Sequence, residues 1–299
     1  MNTGGDDLED DFVIDDLVAL SGDELEADDK EQSPNPVLSD VDDNAPEQKP
    51  DAQDAKQSKK RKLKEKQKQR KKLKLAASVD TDANEGPSLA SQPPQALVEY
   101  LASMQAKTKT CSNLSALELE DMRIPESSIA DTSMWDGSRT LDQLVKFITE
   151  TLPSLRTRLG QKSKSNGSPT LLFIAGAALR VADVTRVLKD KSLRGEKGGE
   201  VAKLFAKHFK VAEHVSYLKR TKVGAAVGTP GRIGKLLSEE DALSVSALSH
   251  IILDTTYRDS KNRSLLDIPE TREEVFQTVL CAPKVLEGLK QGKIQLVLF

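Results

Sequence analysis

The sequence has little cysteine, histidine or aromatic content, and it contains no long apolar run. Its cysteines, Cys111 and Cys281, lie far apart without a second cysteine or a histidine at metal-ligand spacing, which argues against a disulfide framework and a zinc site. The longest apolar run, from Leu171 to Leu179, is too short to span a bilayer, and the acidic N-terminus is unlike a signal peptide. We therefore expect a soluble intracellular protein without metal, cofactor, membrane partner or small-molecule substrate.

Charge is arranged in blocks whose effects cancel, so that the net charge of the 299 residues is only −3. Residues 1–54 hold nineteen Asp and Glu against two Lys, together with four prolines and few apolar side chains. Such a segment buries too little apolar surface to offset the entropy of ordering, and we predict that it is disordered. Its acidic-hydrophobic pattern between Leu8 and Leu20 indicates either a segment that folds on a basic partner or a solvated tail.

A basic tract follows between Lys59 and Lys74, with helix-forming composition but no apolar face. Its two clusters are spaced like a bipartite nuclear localisation signal, and such runs also bind phosphate backbones by releasing counterions. The cluster residues are Lys59, Lys60, Arg61 and Lys62, then Arg70, Lys71, Lys72 and Lys74. We predict residence in the nucleus, and specifically the nucleolus. After a flexible linker over residues 76–95, the expected organisation is a disordered tail over 1–95 and one folded domain over 96–299.

Strand and helix patterns alternate along the expected domain, which predicts an α/β fold with one parallel sheet covered on both faces. Helical periodicity begins at residue 96. The predicted strands cover residues 170–175, 214–218, 223–227, 250–254 and 294–299. Helices are predicted through residues 97–104, 114–122, 141–152, 179–188, 201–209, 233–237, 275–280 and 285–289.

The segment from Val223 to Leu237 carries the main functional signal, because an apolar strand runs through a Gly-Thr-Pro-Gly break into a helix. Thr229 is the expected N-cap and Pro230 the expected first helical residue. Gly231 would keep side-chain bulk away, so that backbone N–H groups, the helix dipole and the Arg232 guanidinium could meet one phosphate. The alternative interpretation is a well-capped helix start with no ligand.

This turn, some twenty residues before an apolar strand that ends in Asp254, is similar to the first RecA-like domain of DEAD-box RNA helicases. The resemblance implies a single RecA-like, P-loop-NTPase-like domain in which the Thr-Pro-Gly-Arg motif contacts the RNA backbone. In that family an Asp-Glu-Ala-Asp motif holds Mg²⁺ and the attacking water. Here the motif reads Asp254-Thr255-Thr256-Tyr257, so the water-orienting glutamate is replaced by Thr255.

Other departures from the helicase pattern agree with the loss of ATP hydrolysis. The family's Pro-Thr-Arg-Glu-Leu-Ala motif is replaced by Gly176-Ala177-Ala178-Leu179-Arg180, in which only Arg180 could contact RNA. No Gly-x-x-x-x-Gly-Lys-Ser/Thr loop precedes the strand, and the sequence ends at Phe299, where the family continues into a second RecA-like domain. We expect neither tight ATP binding nor hydrolysis.

The acidic tail, the Lys/Arg tract, the segment from Ile124 to Ser128 and the degenerate helicase-like domain together resemble a small eukaryotic family. Its members are helicase-like subunits of early small-subunit pre-ribosomes that contain the U3 small nucleolar RNA. The resemblance implies ribosome biogenesis and rRNA processing, with pre-ribosomal RNA or snoRNA and small-subunit pre-ribosome proteins as partners. Our leading hypothesis is a non-catalytic pseudo-helicase that binds RNA or ribonucleoprotein. The alternative is a protein-interaction scaffold whose turn is a relic.

The candidate RNA-binding residues are Thr229, Gly231, Arg232, Lys235 and Arg180. We expect Arg232 to project into solvent at the carboxyl end of a central strand, where open α/β sheets bind ligands. If the protein were an enzyme, its catalytic residues would have to come from other side chains. The candidates are Asp254 and Asp259 as a metal-binding pair and His208, His214 or His250 as a base. No nucleophile motif or paired carboxylate supports that class. Whether Arg180, Arg232 and Lys235 share an exposed positive face decides between the phosphate-binding and scaffold hypotheses.

Overall fold

The computed structural model describes residues 89–161, 163–207, 209–239 and 242–299. The acidic segment, the basic tract and most of the linker lie outside these residues. The boundary between residues 95 and 96 stays a prediction. In the described part, packing includes earlier residues, because Ala90 is fully buried and its carbonyl accepts the Thr132 hydroxyl at 3.3 Å.

Within the described residues, five parallel strands form one sheet in the order β2-β3-β1-β4-β5. The strands are β1 Leu171–Ile174, β2 Glu200–Leu204, β3 Val223–Gly228, β4 His250–Leu253 and β5 Gln295–Leu298. All residues of the three central strands are buried, as expected where helices cover both faces of a sheet. The predicted α/β class with a parallel sheet is confirmed.

Helices connect and cover these strands, and many of them begin with proline at the first helical turn. Their bounds are α1 Pro94–Ala106, α2 Ala116–Asp121, α3 Leu144–Thr151, α4 Pro153–Leu159, α5 Ala178–Leu188, α6 Lys191–Arg194, α7 Val211–Arg220, α8 Pro230–Ser238, α9 Pro269–Glu273 and α10 Pro283–Lys290. A π-helix over Glu274–Leu280 continues α9 without a break. In the described part, no helix combines the length and the apolar character that a membrane span needs.

Two apolar cores lie on opposite faces of the sheet because successive strand residues point to opposite sides. One face presents Leu172 and Ile174 to α1, α8, the π-helix and α10. The other presents Leu171 and Phe173 to α3, α4 and α5. This division follows directly from the period of two in the apolar strands.

Two of the predicted elements are wrong, and they are neighbours in the chain. Residues 201–209 were expected to form a helix, but strand β2 ends at Leu204. Phe205 and Phe209 caused the error, because their spacing of four imitates a helical face while they pack edge to face at 5.5 Å. Residues 214–218 were expected to form a strand, but they lie inside α7, where the apolar run is too short to distinguish the two structures.

The strand register brings the two helicase-like motifs to the same edge of the sheet. Ile174 of β1 pairs with Gly228 of β3 on one side and with Leu253 of β4 on the other. Thr229 and Asp254, which follow these residues, therefore both stand at the carboxyl edge. At one side of the sheet, β5 is bridged by Ile129. At the other side, β2 pairs with β3 alone within the described residues.

Candidate nucleic-acid interface

The predicted strand, turn and helix around Thr229 are confirmed by β3 and α8. Thr229 occupies the N-cap position in an extended conformation, and Pro230 is the first helical residue. The Thr229 side chain makes no capping hydrogen bond, whereas its carbonyl accepts the N–H groups of Arg232 and Ile233 at 3.1 and 3.0 Å. The turn is thus fixed by backbone geometry rather than by the threonine hydroxyl.

A carboxylate lies against the turn at the place where the sequence suggested a phosphate. Glu274, the first residue of the π-helix, packs so closely on Gly231 that a Cβ atom at this position would collide with its carboxylate. One turn further along α8, Gly234 similarly leaves room for Thr278. Gly231 therefore allows close packing between α8 and the π-helix, and Glu274 places a negative charge beside the positive end of α8.

Arg232 is buried, with only 6% of its surface exposed, so the expectation that it projects into solvent is wrong. Its Nη2 donates to the Phe209 carbonyl at 2.7 Å, and its Nη1 lies 3.2 Å from His214 Nδ1. Burial, and then the charge of Arg232, lowers the pKa of His214 to about 4. The neutral imidazole can accept the guanidinium N–H. Arg232 therefore connects the start of α8 to α7 and to the segment before it.

Arg180 is also held inside the protein, by Asp254 at the end of β4. Its Nε donates to Asp254 Oδ2 at 2.6 Å and its Nη2 to Oδ1 at 3.3 Å. The Thr256 hydroxyl and the Tyr257 N–H also donate to Oδ1, at 3.1 and 3.2 Å. The Asp254 side chain is completely buried. Both carboxylate oxygens are thus already engaged, and this arrangement does not fit the Mg²⁺ that the helicase resemblance implies.

Thr255, which stands in place of the water-orienting glutamate, has a structural role at the sheet edge. Its N–H and its hydroxyl both donate to the Phe299 carbonyl, at 2.6 and 2.8 Å. These bonds continue the connection between β4 and β5 by one residue. No acid is left at this position to orient water for attack on a phosphate.

The five candidate residues do not form one exposed positive face. Lys235 is exposed, and Thr229 and Gly231 are partly exposed at the turn. Arg232 and Arg180 have their guanidinium groups in separate internal contacts. The arrangement therefore fails the condition that would favour a phosphate clamp built from the three cations.

The residues considered for an enzyme do not assemble either. Asp259 is tied into its own turn by Arg263, whose hydrogen bonds lower the pKa of Asp259 to about 2. His250 begins β4 and so stands at the opposite edge of the sheet from Asp254. His214 is engaged with Arg232, and His208 lies outside the described residues. In the described part, no three His, Cys, Asp or Glu residues form a group that could hold a metal ion.

The fold and the site define an α/β protein with one parallel sheet, in which the acid at the end of β4 is paired with an arginine of the same chain. Over residues 39–299 the sequence matches the family CMS1, described as U3-containing 90S pre-ribosomal complex subunit, and the chain belongs to this family.

Relatives from fungi and animals agree with this assignment. Protein CMS1 of Chaetomium thermophilum is 40% identical over 195 residues, which cover 65% of this chain and 75% of that protein. Human protein CMSS1 is 34% identical over 209 residues, covering 70% of each chain. Protein cms1 of Schizosaccharomyces pombe is 35% identical, and the match spans 64% of its length.

Among solved structures, the chain is similar to Saccharomyces cerevisiae Dbp5 bound to RNA and ADP BeF3. The sequence identity is 16% and the TM-score is 0.38, over 65% of this chain and 46% of that chain. The chain thus spans less than half of the Dbp5 chain.

Proposed function

We propose that this chain is a non-catalytic subunit of the U3-containing 90S pre-ribosome, located in the nucleolus, which binds RNA or ribonucleoprotein. The observation that carries the non-catalytic part is the buried pair between Arg180 and Asp254, joined at 2.6 Å. Oδ1 of Asp254 accepts three protein hydrogen bonds and Oδ2 accepts one, and the Arg180 guanidinium, which contacts both oxygens, would repel a metal ion there. The sequence adds support, because it lacks a phosphate-binding Gly-Lys-Ser/Thr loop.

RNA affinity is assigned chiefly to the basic tract between Lys59 and Lys74, which can release counterions from a phosphate backbone. At the turn, Thr229 and Lys235 remain the candidates for a peripheral RNA contact because both are accessible. Gly231, Arg232 and Arg180 are assigned structural roles. The Glu274 carboxylate would repel a phosphate that approached Gly231.

A second candidate function is a protein-interaction scaffold that does not touch RNA through its α/β domain. The observation that favours it is the same carboxylate of Glu274 at the turn, together with the internal engagement of Arg232. The two candidates differ in whether the folded domain contributes to RNA affinity beyond the basic tract.

Replacing the eleven Lys and Arg residues between Lys59 and Lys74 with glutamine should abolish nuclear accumulation and most RNA binding by the full chain. Because each phosphate contact adds about −0.7 to −0.9 to the slope of log affinity against log salt, that slope should also become much shallower. Localisation by fluorescence and binding of a U3 RNA fragment between about 50 and 200 mM salt measure both effects.

A matched control replaces eleven of the nineteen Asp and Glu residues in the first 54 residues with their amides. This change alters the same number of charges with the opposite sign, and it should leave nuclear entry intact and RNA affinity undiminished. Unchanged localisation and an unchanged salt slope in the tract variant would contradict the proposal.

A further inference from the structure

One edge of the sheet carries a concentration of positive charge outside the helicase-like motifs. Residues 186–222 contain eleven Lys and Arg against four Asp and Glu, a net charge of +7 in a chain whose total is −3. The segment includes the end of α5, all of α6, the strand β2 and α7. Within the described residues β2 is the outermost strand on this side, and the elements that flank it in the chain carry this charge.

Four of these cations form the surface that we call the basic edge: Arg186, Lys189, Lys191 and Lys203. On β2, Lys203 points to the same face as Val201, which packs in the core with α5. Arg186 and Lys189 lie exposed at the end of α5, and Lys191 begins α6 two residues later. Burial, and then the charges of Lys189 and Arg186, lower the pKa of Lys203, which reflects the mutual repulsion of this group.

Carboxylates lie among Arg186, Lys189 and Lys191, but within the described residues Asp183 is the one that forms an ion pair with any of these three cations. Asp190 accepts the Ser192 N–H at 2.8 Å, and Glu200 pairs with Arg194 at 3.3 Å. The one exposed pair, Arg186 with Asp183 at 3.0 Å, is of the kind that contributes little in water. Among the described residues, no ion pair joins Lys189 or Lys191 to a carboxylate.

A lysine on an edge strand also protects against pairing with other chains, which would account for Lys203 alone. It does not account for Arg186, Lys189 and Lys191, because these residues lie on helices. Clustered like charges weaken a folded protein, so a cluster of this kind indicates an anionic partner.

We propose that the basic edge binds the phosphate backbone of double-helical RNA. The chemistry favours a duplex, because proteins that bind single strands stack bases on aromatic side chains. Of the aromatic residues that follow β2, Phe205 is buried, and the half-buried Phe209 packs edge to face on Phe205 and stacks on His214. This inference rests on the proposed RNA-binding function, and it assigns the folded domain a second contact besides the basic tract.

The test uses the full chain with Arg186→Gln, Lys189→Gln and Lys191→Gln combined. Lys203 is left unchanged because its side chain is partly buried. The matched control combines Lys261→Gln, Lys284→Gln and Lys293→Gln, three exposed lysines elsewhere in the described domain. The probes are an RNA duplex of about 20 base pairs and a single strand of the same length, since double-stranded RNA modules span about 16 base pairs.

The basic-edge variant should bind the duplex about tenfold more weakly than the wild type and with a salt slope shallower by about two to three. The control should stay within about twofold, and the melting temperatures of both variants should match the wild type because only exposed side chains change. An unchanged duplex affinity would overturn the inference while leaving the proposed function standing. An equal loss for the single strand would overturn the choice of a duplex. If the wild type bound neither RNA, the proposed function itself would fail.

Discussion

Replacing Asp254 with alanine should lower the free energy of unfolding by about 3–5 kcal/mol, because it leaves a buried charge without its partner. The Arg180 side chain is only 13% exposed and would lose both of its hydrogen bonds to the carboxylate. The Thr256 hydroxyl and the Tyr257 N–H would lose an acceptor as well. Urea denaturation of the full chain measures the effect.

Two controls test whether the effect comes from the burial of the ion pair between Arg180 and Asp254. The double substitution Arg180→Met with Asp254→Leu should be less destabilising than Asp254→Ala alone, because it removes both charges and keeps most of the volume. Asp183→Ala breaks the exposed pair with Arg186 and should change stability by no more than about 1 kcal/mol. A loss in Asp254→Ala no larger than that in Asp183→Ala would show that the pair does not stabilise the fold.

Replacing Arg232 with methionine should lower the free energy of unfolding by about 2–4 kcal/mol, since hydrogen bonds of charged groups contribute about 1.5–3 kcal/mol each. Methionine keeps much of the side-chain volume but leaves the Phe209 carbonyl and His214 Nδ1 without their partner. The same urea titration measures this loss. The motif alone predicted a different result, because a solvent-exposed arginine could be removed without effect on stability.

Lys235→Met is the matched control, because Lys235 lies one turn further along α8 and is exposed. It should change stability by less than about 0.5 kcal/mol, as is usual for surface positions. Equal stabilities for the two variants would mean that Arg232 is not a structural residue and would restore the phosphate-clamp hypothesis for it.

Local signals were sufficient to predict the turn and the parallel sheet. Proline at the first helical position fixes its φ angle through its own ring, so its effect is visible in a short stretch of sequence. Strand β1 is apolar throughout and β4 is apolar after His250, which is typical of strands covered on both faces. These features do not depend on distant contacts.

Tertiary contacts determined what the sequence could not reveal. Arg232 is buried by Phe209 and His214, which precede it by 23 and 18 residues and belong to the part of the chain whose elements were predicted wrongly. Glu274 comes from a π-helix that no local pattern indicates, yet it decides the charge at Gly231. A motif taken from a helicase therefore predicted the backbone conformation correctly and the exposure of Arg232 incorrectly.

The same limit applies to Asp254. Its position at the end of β4 follows from the apolar strand before it, but its pairing with Arg180 depends on a residue 74 positions earlier. An aspartate at the end of a strand can hold a metal ion or, as Asp254 does here, hold a helix against the sheet. The partner of the aspartate distinguishes the two roles, and for Asp254 that partner is the Arg180 side chain.

Phosphate release from ATP by the purified full chain, with and without saturating RNA, tests most directly whether Asp254 has a catalytic role. The reference is the variant that combines Arg180→Met with Asp254→Leu, in which the carboxylate at the end of β4 is removed. We expect the wild type and this variant to release phosphate at the same background rate, with no stimulation by RNA. RNA-stimulated release by the wild type that the variant abolishes would contradict the assignment of this chain as a non-catalytic pre-ribosome subunit.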